Sequence, residues 1–90
     1  MRHATPVVLD ALEPLLAQLR GCDGLTERKR GVFYRRSAAF LHFHEDPAGF
    51  FADVRIGPGW VRLPATTAAD RRSLLRQVRA ELGAPSPARP

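Results

Sequence analysis

Two histidines stand two residues apart in the aromatic-rich run Phe40-Leu41-His42-Phe43-His44-Glu45-Asp46. In an extended segment residues i and i+2 point to one face, so both imidazoles project together, with Cβ atoms roughly 6–7 Å apart. Imidazole pairs beside a carboxylate are the donor set that zinc and non-haem iron use, and such a pair also shares a proton near neutral pH. Glu45 and Asp46 follow directly, and Asp53 lies on the segment expected to return beside this one. A third metal ligand would come from Asp53, Glu45 or the sequence-distant His3. A His42–Asp53 pair would also orient an imidazole as a general base, although no Ser or Cys nucleophile is placed next to it. Cys22 follows a helix C-terminus, where the dipole disfavours a thiolate, and reads as a structural or idle thiol.

The pairing register around Asp46-Pro47-Ala48-Gly49 decides what the histidines face. This tetrapeptide has type I turn chemistry: Asp first, Pro next, Gly last. If paired positions sum to 95, His42 opposes Asp53 and His44 opposes Phe51, while Leu41, Phe43, Ala52, Val54 and Ile56 share the other face as a core. If they sum to 96, His42 opposes Val54, and Asp53 joins Leu41, Phe43 and Arg55 instead, because a one-residue slip exchanges faces. The hydrophobic count favours the first register and the turn chemistry the second; we prefer the first.

These side chains need elements to hold them. Residues 1–9 form a short lead. Asp10 reads as an N-cap with Glu13 as its capping-box partner, opening a helix whose stripe is Leu12, Leu15, Leu16 and Leu19 and which Gly21 stops. A start at Thr5-Pro6 would put Pro14 mid-helix and kink it. Residues 21–31 read as a loop. Strands follow over 32–35, 38–45, 50–56 and 60–63, joined by turns at Arg36-Ser37, 46–49 and Gly57-Pro58-Gly59. Thr67, with Asp70 three residues on, caps a last helix with the stripe Leu74, Leu75, Val78 and Leu82, ended by Gly83. Residues 84–90 hold three prolines and read as a disordered tail, leaving one domain over 1–83. The expected fold is α+β: a two-layer α-β-β-β-β-α domain, with a four-stranded antiparallel meander carrying two helices on one face.

Length and composition bound the function. Ninety residues make one small domain, and 44% hydrophobic with 26% charged residues is a globular composition rather than a disordered one. No window approaches a membrane span, no signal-peptide pattern is present, and a single cysteine excludes a disulfide framework, so a cytoplasmic setting without membrane contact is expected. The net charge of +5 comes from 14 basic and nine acidic residues, and Lys29 is the only lysine. Arg28, Lys29, Arg30, Arg35 and Arg36 flank Phe33 and Tyr34, a basic and aromatic mixture suited to single-stranded nucleic acid. Arg72, Arg76 and Arg79 line the polar face of the last helix.

Phe40 to Asp46, the turn with Gly49, Asp53-Val54, Gly59-Trp60 and the closing Leu74-Leu75 helix resemble the luciferase-domain family of small proteins over about residues 33–82. That family shows His-x-His, an acidic-Gly turn, an Asp-Ile/Val strand and a Gly-Trp step. The likeness implies the α+β fold and a shared His42, His44 and Asp53 constellation, and it names no chemistry. A looser likeness to YjbR-like small α/β domains rests on element order.

Three functions are therefore expected, in this order. The first is a non-enzymatic binding module without a cofactor, offering an open sheet face around Phe40, His42, His44, Phe51 and Trp60 to a protein partner or a second copy in a homo-oligomer. The second is a site that holds a divalent transition metal or a proton on His42, His44 and Asp53. The third is nucleic-acid binding through Arg28, Lys29, Arg30, Arg35 and Arg36.

Overall fold

The computed structural model describes residues 1–83; the tail expected over 84–90 lies outside the described residues. The elements run β1 (Arg2–His3), α1 (Pro6–Ala11), α2 (Glu13–Arg20), β2 (Thr26–Lys29), β3 (Val32–Arg35), β4 (Ala38–Asp46), β5 (Gly49–Ile56), β6 (Gly59–Pro64) and α3 (Ala68–Gly83). The class is α+β, and every strand pairing is antiparallel. Neighbouring strands follow β2-β3-β4-β5-β6, and β1 pairs with the end of β4. Among the described residues the sheet thus has six strands where four were expected, and the chain has three helices where two were expected.

Each difference has a local cause. Thr26-Glu27-Arg28-Lys29 carries no apolar alternation, so its pairing with β3 as an edge strand was invisible; residues 21–31 are not all loop. Gly31, at φ 79, makes the tight return to Val32. Asp10 does not cap the first helix. It lies inside α1, which begins after Thr5 with Pro6 in its first turn. Pro14 has no N–H to give Asp10 and its ring opposes that carbonyl, so the helix breaks at Leu12, whose carbonyl accepts from the N–H groups of both Leu15 and Leu16. The cap expected at Thr67 is present: Asp70 N–H donates to Thr67 Oγ1 at 3.0 Å and Thr67 N–H donates to Asp70 Oδ2 at 3.0 Å. Arg36 and Ser37, at φ 53 and 67, make the two-residue turn between β3 and β4.

Val8, Leu12, Leu15, Leu16 and Leu19 from the first two helices and Leu74, Leu75 and Val78 from α3 form one core with Phe33, Leu41, Phe43, Ala52 and Val54. The β4–β5 register is the one in which positions sum to 95: Leu41 opposes Val54, Phe43 opposes Ala52, and His42 opposes Asp53. Strand alternation then places His42, His44, Phe51, Asp53 and Arg55 on the face away from the helices. Trp60 opposes Arg55 and Arg62 opposes Asp53, so both join that face.

Phe40 does not belong to this open face. The β3–β4 register shifts between Phe33–Leu41 and Tyr34–Ala39, leaving Phe40 as the extra residue of a β-bulge. The bulge turns Phe40 toward the same side as Leu41, and Phe40 is buried in the core at 2% exposure. Alternation alone assigns it to the histidine side.

Candidate functional site

Glu45 brings the first strand to the histidines. Its Oε1 accepts from Arg2 Nε and Nη2 at 3.0 and 2.8 Å, and its Oε2 accepts from the Thr5 N–H and hydroxyl at 3.1 and 3.0 Å. The carboxylate therefore ties down β1 and satisfies a donor at the entrance of α1. The Thr5 N–H, reinforced by Arg2, holds the Glu45 carboxyl below the usual carboxylate range against the upward push of burial. This anchor pairs Arg2 with Glu45 and His3 with His44. Directly opposed residues share a face, so His3 arrives on the side of His42 and His44.

The three rings form one cluster. His3 stacks on His44 with centroids 5.1 Å apart, His42 meets His44 edge-on at 4.7 Å, and His3 lies 6.0 Å from His42. One ring nitrogen from each lies within 4.8 Å of the other two. His42 Nδ1 and His44 Nε2 are buried and have no hydrogen-bond partner. Buried polar atoms in folded proteins are nearly always satisfied, so two orphaned nitrogens in one cluster call for a physical reason. Burial, followed by the neighbouring His44, lowers the His42 pKa and keeps that ring neutral and free to donate a lone pair.

Asp53 borders the cluster. Arg62 grips it from the adjacent strand, Nε to Oδ1 at 2.8 Å and Nη2 to Oδ2 at 3.0 Å. This paired contact lowers the Asp53 pKa and keeps the carboxylate ionised. Asp53 Oδ2 also lies 3.0 Å from His44 Nε2, but the approach is off the direction of a ring N–H, so proximity does not make a hydrogen bond. Trp60, 44% exposed, stands beside the cluster with its ring 5.3 Å from that of His42.

The expected residues fall into three groups. His42, His44 and Asp53 come together, with His3 as a third imidazole. Phe51 is half-buried opposite His44 and Trp60 is exposed near His42, whereas Phe40 is in the core. The basic segment divides. Arg30 pairs with Asp10 and Glu13 on the helix side, and Arg35 reaches the Leu82 carbonyl and lies 3.9 Å from Glu81. Arg28 lies over the Tyr34 ring at 4.3 Å, and Lys29 and Arg36 are exposed. Cys22 is half-buried, its Sγ donating to the Gln18 carbonyl at 3.5 Å. His3 is distant in sequence, and no periodicity in residues 1–9 places it. The available signal was Thr5-Pro6, which marks a helix start and hence a segment that has to dock.

No family model matches this chain, and neither a curated protein nor a solved structure does.

Proposed function

We propose that the protein binds a divalent transition metal of the zinc class through His3, His42 and His44, with Asp53 as the neighbouring carboxylate donor. The observation that carries this reading is the convergence of three imidazole nitrogens within 4.8 Å, two of the rings holding a buried nitrogen without a partner. An ion about 2.1 Å from each nitrogen would space tetrahedral donors about 3.4 Å apart, a modest closing of the cluster. Asp53 Oδ2, 3.0 Å from His44 Nε2, stands close enough to share a cation with that ring. Arg62 fits the role of an outer partner that orients a ligating carboxylate. Asp53 is too weak a base for proton abstraction near neutral pH, so it serves as a donor. The likeness to luciferase-domain proteins adds no chemistry to this reading.

The test uses untagged protein freed of metal by a chelator. Calorimetric titration with Zn²⁺ is expected to show one site per chain, and Co²⁺ or Cu²⁺ is expected to quench the single tryptophan, Trp60. His42→Ala with His44→Ala abolishes both signals, and His3→Ala weakens binding more than Arg62→Ala, whose expected loss is about 10–100-fold. Absence of binding at micromolar metal, or binding unchanged in the double variant, overturns the proposal.

A further inference from the structure

The open sheet face carries a second set of side chains that the histidine cluster does not use. On β3, Val32 opposes His42, and alternation puts Tyr34 on the same side. Arg28 lies over the Tyr34 ring at 4.3 Å, and Lys29 opposes Val32. On the far strands Arg55 lies over the Trp60 ring at 5.6 Å. Two aromatic rings, each with an arginine against it, therefore stand on either side of the sheet, on β3 and β6. Three inter-strand spacings separate those strands, roughly 14 Å. Ala39 opposes Tyr34, so a small side chain lies at the floor beside that ring.

The cations of the sheet face are placed in a way that points to a ligand. Asp10, Glu13, Glu27 and Glu81 pair with Arg20, Arg30 and Arg35 around the helices. Arg62 is engaged by Asp53. Arg28, Lys29 and Arg55 make no ion pair among the described residues, and all three are exposed. Arg72, Arg76 and Arg79 stay exposed on α3 without an aromatic partner among the described residues, whereas on the sheet face Arg28 and Arg55 each lie against a ring, Tyr34 half-buried and Trp60 exposed. That combination fits a polymer with a flat apolar face and a regular negative charge.

We propose that this face binds single-stranded nucleic acid, with bases stacking on Tyr34 and Trp60 and phosphates meeting Arg28, Lys29 and Arg55. Stacking on either ring is sequence-tolerant, because every base has a π-face. The exposed sheet requires no duplex groove, and the separation of the rings suits a short run of nucleotides rather than one base. This site stands apart from the metal reading, since none of its five residues is a proposed ligand.

The test titrates the full chain, kept in chelator so that metal binding plays no part, against a fluorescein-labelled eight-nucleotide single strand of DNA or RNA at about 50 mM salt, a low-salt condition that favours phosphate contacts. Anisotropy should rise as Trp60 fluorescence falls. Trp60→Ala and Tyr34→Ala should each weaken binding about tenfold, and Trp60→Phe, which keeps a ring, should restore most of it. The plot of log affinity against log salt should have a slope of about −2, for three phosphates neutralised on a single strand. The slope should become shallower in Arg28→Ala or Arg55→Ala. Arg72→Ala with Arg76→Ala, on the exposed face of α3, should leave affinity unchanged. Absence of binding overturns the proposal, as does equal affinity for heparin that survives Trp60→Ala. Finding that the face closes a dimer, which Trp60→Ala dissolves without any oligonucleotide binding, also overturns it.

Discussion

Glu45 is the residue on which the cluster geometry turns. Its two oxygens take four donors from Arg2 and Thr5, and together with the β1–β4 pairing that contact sets His3 against His44. Glu45→Gln keeps the size of the side chain but removes the charge and one acceptor. Hydrogen exchange at residues 2–5 should speed up while the amides of β4 and β5 stay protected, and Zn²⁺ affinity should drop about 10–100-fold, as for loss of an outer-sphere support. Unchanged exchange at residues 2–5 would show that β1 is held by other means. His42, His44 and Asp53 were legible together because a period of two and a countable register place them. His3 was not, since its position depends on a carboxylate 42 residues away in sequence, and no local pattern encodes that contact.

At the scale of elements, the β4 bulge decides which aromatic is structural. An unbroken strand would put Phe40 with His42 and His44; the extra residue turns it into the core beside Leu41. Phe40→Ala should therefore cost about 3–5 kcal/mol in chemical denaturation. Phe51→Ala, on the half-buried histidine side, should cost much less. Equal losses would refute the assignment. Sequence periodicity shows neither bulges nor polar edge strands. It located β3 to β6 through their apolar alternation and the turns at 46–49 and 57–59, but β2 consists of Thr-Glu-Arg-Lys, which carries no apolar alternation. The break in the first helix was legible as a consequence of Pro14, given a start at Thr5-Pro6; Asp10 offered a competing start, and the docking of Thr5 on Glu45 decides between them.

For the whole molecule, ion pairs gather around the first two helices and their neighbouring strands, and Glu13 is the shared partner of Arg20 and Arg30. Hydrogen bonds from those two arginines lower the Glu13 pKa to about 2 from 4.5. A depressed carboxylate pKa contributes stability that is complete above the unfolded value and lost as pH falls toward the folded one. The thermal midpoint should accordingly decline between pH 4.5 and about 2, and less steeply in Glu13→Gln than in the wild type. Parallel curves would show that Glu13 makes no such contribution. Composition announced an excess of basic residues without showing where it was cancelled, because that depends on which strand faces the helices.

The three imidazoles come from opposite ends of a long stretch of chain: position 3 on one side, positions 42 and 44 on the other, with α1, α2, β2 and β3 between them. On the proposed metal reading, an ion seated among them would act as a clasp. It would join the ends of that loop as a cross-link does, and part of its effect would lie in the conformations it denies the unfolded chain rather than in any contact visible in the folded one. In a domain this small, whose own interior leaves little margin, such a fastening would make the order of the leading segment depend on the supply of metal around it.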